Sequence, residues 1–173
     1  MGRGFSARQY YFHFLTYFWT GCRAGELLEL RHCDFNFFKG TVFIDGTKTK
    51  TSSRTIPMFR PFASEIFSII KQGSKEKVFT VTDNYLRMEL RKILLALGIA
   101  KPNEIADNDE DTAKYSLKST RHSFATRRKE DGCDMKQISQ WMGHTNLAMT
   151  DNYSHIMDEF EQQQAEKVNA LYA

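Results

Sequence analysis

Thr41-Val-Phe-Ile-Asp45, a polar stretch from Gly46 to Ser53, and Arg54-Thr-Ile-Pro57 decide the fold class. β-Branched and aromatic residues flank a turn-forming centre, so the segment reads as strand, turn and strand, with Lys48 and Lys50 in the hairpin. The chain on either side has helical spacing. Upstream, Tyr10, Tyr11, Phe14, Leu15 and Phe18 recur at helical intervals between Ser6 and Thr20, and Gly21 supplies a stop, which predicts a buried helix. A short second helix is expected from about Ala24 to Arg31, with Leu27, Leu28 and Leu30 inward. Downstream, core helices are expected at about 60–72 and at 83–97, the latter closed by Gly98. Further helices follow at about 117–130, at 135–142 with Asp134 and Gln137 offering a cap, and from Asn146 onward. The tail at 158–173 reads as a final amphipathic helix presenting Phe160, Val168 and Leu171. The expected class is α+β, mostly helical: a helical bundle with a small antiparallel three-stranded sheet.

The chain has 173 residues, which fits one domain at about 100 to 200 residues per domain. A 41% hydrophobic content with 14 Phe, 7 Tyr and 2 Trp supplies a core and excludes disorder as the main state. No apolar run approaches the length of a membrane span, and no signal-peptide core is visible, so a soluble, intracellular protein is expected. Cys22, Cys33 and Cys133 form no C-x-x-C pair and read as reduced, small core residues. The formal charge of +3 is too small to argue a partner by itself. Residues 101–116, however, have a surface-loop composition with five acids and two bases; taking these from the totals of 21 and 24 leaves 16 acids and 22 bases. The remaining body is more basic than the total suggests, which favours an anionic ligand.

Three segments could carry chemistry. In Thr20-Gly-Cys-Arg-Ala-Gly-Glu-Leu27 an arginine emerges beside helix N-terminal amides, a setting suited to a phosphate oxygen. Arg23 paired with Glu26 or Glu29 at helical spacing is the ordinary alternative. Between Lys118 and Lys129 lie five bases and no acid, and Lys118, Arg121 and His122 share a helix face at i, i+3 and i+4. That face suits phosphates, although such runs are commonly just solvated. Last come Trp141-Met-Gly-His144 and Tyr153, which in isolation read as a capping histidine and a packed aromatic.

As a set these residues resemble the catalytic domain of the tyrosine recombinase, or phage integrase, family. The resemblance rests on T-G-C-R-A-G-E-L at 20–27, T-K-T-K at 47–50 before R-T-I-P, R-H-S-F-A-T at 121–126, M-G-H at 142–144, and Tyr153, in the family's order over nearly the whole chain. It implies that Arg23 and Arg121 clamp the scissile phosphate, that Lys48 is the general acid, that His144 assists, and that Tyr153 is the nucleophile forming a 3′-phosphotyrosyl link. One departure stands out: Lys118 occupies the place, three residues before the second arginine, where the family usually has histidine. Lys50 on the same hairpin is an alternative to Lys48 as the acid. Lys50, Arg54, His122, Arg127 and Arg128 would hold the DNA backbone around the cleavage point.

The residue types suit the reaction. Phosphoryl transfer builds negative charge on non-bridging oxygens, and two permanently charged, forked guanidiniums can meet it without a metal. No metal-ligating pattern or cofactor motif is visible, so neither is expected. A phenol with a reference pKa near 10 needs its anion stabilised by neighbouring cations, and a departing 5′ oxygen needs a proton from a general acid. The resemblance further implies double-stranded DNA at a specific attachment or recombination site as partner, and action as a homo-tetramer. It implies a bacterial or phage-encoded cytoplasmic enzyme of a mobile element. Residues 1–173 are expected to be a single catalytic domain, lacking the family's usual N-terminal core-binding domain. The 158–173 tail is expected either to dock on a neighbouring protomer or to fold on its own core. The alternatives are a type IB topoisomerase-like activity, which rejoins the original strand, and a non-catalytic DNA-binding regulator.

Overall fold

The computed structural model describes residues 7–46, 53–107 and 113–144. Helix α1 (Ala7–Thr20) leads through Gly21 into the short α2 (Ala24–Glu29). Strands β1 (Phe35–Asn36), β2 (Thr41–Ile44) and β3 (Arg54–Pro57) form one antiparallel sheet in the order β1-β2-β3. Helices α3 (Arg60–Ile66), α4 (Asp83–Ala96), α5 (Leu117–Glu130) and α6 (Met135–Met142) complete the described chain. The class is therefore α+β and mostly helical, as the strand-turn-strand segment among helical patterns leads one to expect.

In the sheet, Val42 pairs with Ile56 and Ile44 with Arg54. Val42, Ile44 and Ile56 are fully buried, while Phe43 and Thr55 face outward. Residues directly opposite across a ladder share a face, and side chains alternate along a strand, so Arg54 lies on the core side with Ile56. A short sheet supports a charged residue there only if the charge is paired.

Helix α1 differs in detail from the expected stripe. Tyr10, Phe14 and Tyr17 are buried, but Tyr11 and Phe18 are substantially exposed. The burial extends instead to Phe12, His13, Thr16 and Thr20. Thr16 Oγ donates to the Phe12 carbonyl and Thr20 Oγ to the Thr16 carbonyl, each at 2.7 Å. Threonines that satisfy their hydroxyls on their own helix can be buried, which a hydropathy pattern does not reveal. Helix α3 ends at Ile66 and passes into a 3-10 turn at Phe67–Ile69, short of the expected 72. Helix α4 is amphipathic rather than enclosed: Leu86 and Leu90 are buried, whereas Leu97 is exposed. Cys22 is buried, Cys133 is half-buried and Cys33 is exposed, so the reading of all three as core residues holds fully only for Cys22.

The acidic 101–116 loop is anchored at both ends. Ala106 N donates to the Tyr115 carbonyl at 2.8 Å, Tyr115 N to the Glu104 carbonyl at 2.9 Å, and Ile105 and Ala106 are buried. Helix α5 packs against α1 and α6, and α6 in turn against β3. Phe124, Ala125, Ile138 and Met142 form a second, smaller core, with Trp141 packed against both clusters. The α1–α2 corner, β3, α5 and the end of α6 thereby meet in one place.

Candidate active site

Arg23 occupies the N-cap of α2 with an extended backbone (φ −79°, ψ 159°). Glu26 reaches back, its Oε2 accepting from Arg23 N and its Oε1 from Arg23 Nη1, both at 2.8 Å. The ion pair is the ordinary i, i+3 contact that the spacing suggests, yet Arg23 remains 39% exposed while Glu26 is buried. The guanidinium thus has a fixed base and a free outer edge facing solvent.

Arg121 projects from the second turn of α5 and joins two distant segments. Its Nη1 donates to the Gly21 carbonyl at 2.6 Å, and its Nη2 donates to the Met142 carbonyl. Gly21 permits this approach. Its φ is +60°, and a Cβ there would lie 2.5 Å from Phe124 Cδ1 on α5, so a side chain would force the α1–α2 corner away from the helix that carries Arg121. At the other end, Asp134 caps α6 by accepting from Lys136 N at 2.8 Å and Gln137 N at 3.3 Å. Gly143 closes α6 in the left-handed conformation (φ 65°), with His144 N donating to the Ser139 carbonyl at 3.1 Å. His144 follows directly, half-buried.

The electrostatics follow from this convergence. Burial, then the charges of Arg23 and Arg54, bring Arg121 down to about 10, so it stays charged at neutral pH. Burial, then Arg121, Arg23 and Arg54, push His144 down to about 4, so its imidazole is neutral there. His122, beside Arg121, is lowered by burial and by that charge. Burial alone would raise the Glu26 carboxyl, but hydrogen bonds and charge from Arg54 and Arg23 hold it below the ordinary carboxylate value. Burial pushes the Cys22 thiol up to about 11, leaving it a neutral wall. Three guanidiniums around one carboxylate leave an unmatched positive field, which a phosphodiester anion would complement.

Arg23, Arg121 and His144 are therefore brought together, and Lys118 lies one helical turn before Arg121, exposed. Lys48, Lys50 and Tyr153 lie outside the described residues. Two backbone-contact expectations are corrected. Arg54 is only 7% exposed at its side chain, with Nη1 and Nη2 on Glu26 Oε1 and Oε2 at 3.1 and 2.9 Å and Nε on the Trp141 carbonyl. Arg128 is likewise buried, paired with Asp131 at 2.8 Å and stacked over Phe59 and Trp19 at 4.4 and 5.0 Å from the ring centroids. Neither guanidinium faces an external polyanion. Arg127 is exposed, but nine residues at about 100° each put it on the flank of α5 opposite Lys118. The residue that sequence reading undervalued is Glu26, which ties two arginines; the R-x-x-E spacing was its signal. Among the described residues no group of three or more His, Cys, Asp or Glu side chains is placed to hold a metal ion.

A mostly helical α+β scaffold here gathers three guanidiniums and a neutral imidazole in one place. The chain belongs to the phage integrase family, which residues 5–159 match. It is 28% identical over 161 residues to tyrosine recombinase XerA of Pyrococcus furiosus, covering 91% of this chain and 54% of that protein. It is 29% identical over 147 residues to tyrosine recombinase XerC of Bacillus licheniformis, covering 79% and 46%. The chain thus spans about half the length of these curated relatives. The fold is shared with the crystal structure of XerA recombinase (TM-score 0.71, 20% identity, 93% of this chain and 57% of that one). It is also shared with XerH site-specific recombinase bound to difH substrate in a pre-cleavage complex (TM-score 0.66, 21% identity, 99% and 50%). The catalytic domain of bacteriophage HP1 integrase matches over most of both chains (TM-score 0.61, 18% identity, 88% and 86%).

Proposed function

We propose that this chain is the catalytic part of a site-specific DNA recombinase that breaks and rejoins strands through a phosphotyrosyl intermediate, without a metal ion. The observation that carries this reading is the junction at Arg121, whose one guanidinium holds both the corner preceding Arg23 and the turn preceding His144. Residues about 120 positions apart are thereby turned toward one anion site.

In the proposed reaction the Tyr153 oxygen attacks the scissile phosphorus as its proton passes to water, with Arg23 and Arg121 taking up charge on the non-bridging oxygens. Lys48 gives a proton to the departing 5′ oxygen, and the phosphorus–oxygen bond to that strand breaks. A 5′ hydroxyl of another strand then attacks the 3′-phosphotyrosyl bond, giving its proton to the neutral Lys48, and the departing tyrosine takes one from water, so no net hydrolysis occurs. His144, neutral at pH 7, can donate to or accept from the reacting oxygens, and Lys118 supplies a further cation in the place usual for histidine. The partner is double-stranded DNA at a recombination site, engaged by four copies of the chain, with the segment at 158–173 docking on a neighbour. The XerH complex with difH substrate supports the choice of DNA.

The test is incubation with a nicked suicide duplex carrying the recognised site. A protein–DNA adduct resistant to denaturant is expected from the wild type and none from Tyr153→Phe. An undiminished adduct in that variant would overturn the assignment, and adducts that only ever reseal the original strand would move the reading to a type IB topoisomerase-like activity.

A further inference from the structure

Arg54 lies outside the pair of arginines assigned to the phosphate, yet it touches what supports both Arg23 and His144. On one side its fork is bidentate on Glu26, at 3.1 and 2.9 Å. The same carboxylate accepts from the backbone and the side chain of Arg23, each at 2.8 Å. On the other side Nε donates to the Trp141 carbonyl in the last turn of α6. The guanidinium also lies against the left-handed turn that delivers His144: a Cβ at Gly143 would be 2.9 Å from its Nη1 and 3.2 Å from its Cζ. One rigid planar group thus joins β3, the entrance to α2 and the exit from α6.

We infer that Arg54 is a positioning residue: through Glu26 it sets the Arg23 guanidinium, and through the Trp141–Gly143 turn it sets His144, so that both address the same phosphate. The inference rests on the recombinase reading above. Its geometry requires arginine, because a lysine ammonium is a point donor that cannot hold a carboxylate bidentately and a carbonyl on a third edge at once. A purely stabilising ion pair would have no reason to abut the turn before His144. Arg54 also adds to the positive field that, after burial and the other two arginines, keeps His144 neutral.

The experiment compares the full chain, wild type and variant, on a nicked duplex whose recombination site is recovered by selection from random-sequence DNA. Wild type is expected to form the adduct and Tyr153→Phe not to; if wild type forms none, the recombinase reading fails and this inference with it. Given a wild-type adduct, Arg54→Lys is expected to stay folded by thermal melting, to bind the duplex within about threefold of wild type, and to form adduct about 30-fold more slowly or worse. In Arg54→Gln, NMR titration of the His144 imidazole is expected to show its midpoint rising by about half a unit or more. Folded Arg54→Lys cleaving within threefold of wild type, or an unmoved His144 midpoint, would overturn the inference while leaving the recombinase reading intact. So would loss of the fold in both variants, since Arg54 would then be a framework residue and no more.

Discussion

Arg121 is structural by its contacts and, in the proposed reaction, an oxyanion donor as well. Two of its donors are spent on the Gly21 and Met142 carbonyls, and its remaining N–H groups are available to an oxyanion. Arg121→Ala is therefore expected to reduce single-turnover cleavage by about 100- to 1,000-fold, the usual loss for a preorganised oxyanion donor, with a much smaller loss of DNA binding. Measuring both on one preparation separates the roles. Lys118 lies exposed one turn away, and Lys118→His is expected to preserve cleavage if the position only supplies a proton donor to the phosphate. Arg128 makes the contrasting case. It is buried over Phe59 and Trp19, and its partner Asp131 is about half exposed. Asp131 keeps its hydration when Arg128 is replaced, so Arg128→Met, which leaves an apolar chain of similar length over the two rings, is expected to change stability by no more than about 1 kcal/mol in urea unfolding. Its burial was only half legible. Arg128 stands four residues after the buried Phe124, which places it on the core stripe, but the two rings that receive it come from α1 and the segment before α3, and no local pattern could pair them.

At the level of elements, the α1–α2 corner and the α5 helix define the site by how closely they pack. Gly21 needs both a positive φ and the absence of a Cβ, because Phe124 fills the space beside it. Gly21→Ala is expected to cost about 2 to 4 kcal/mol, combining backbone strain with overpacking, and Phe124→Leu in the same chain should recover the steric part only. Urea midpoints of the two variants test that division. The end of α6 responds to acid rather than to volume. His144 is depressed to about 4 in the folded chain, below its ordinary 6.5, so between those values the unfolded state binds a proton that the folded state refuses. Stability contributed by neutral His144 is thus present above pH 6.5 and lost as pH falls toward 4, and His144→Gln is expected to flatten the stability profile in that window. The elements themselves were legible wherever periodicity was strong: β3 and α5 run as the pattern predicts. The direction of Arg54 was legible too, since it alternates with Ile56 across Thr55. Charge suggested an outward phosphate contact, but strand alternation prevailed because Glu26 waited on the other side of the core.

Across the whole molecule, the burial of Arg54 and Arg128 changes which charges a polyanion can meet. No helix among the described residues is long and apolar enough to cross a membrane, and the outward cations near the site are Arg23 and Lys118, with Arg121 half-buried beside them, rather than the full run of bases between 118 and 129. A protein that neutralises phosphates releases condensed counterions, so the logarithm of its binding constant falls with the logarithm of salt by about 0.9 per phosphate contact on duplex DNA. If the DNA lies over the Arg23–Arg121–His144 site, each outward cation contributes to that slope and each buried one does not. Removing the charge at Lys118 with Lys118→Gln is therefore expected to lower the slope by about 1. Arg128→Met should leave the slope unchanged within error, although it removes the same formal charge. Binding isotherms between about 50 and 200 mM salt distinguish the two. An equal drop in slope for both variants would mean that net charge, not the placement of cations around the site, governs the proposed contact with DNA.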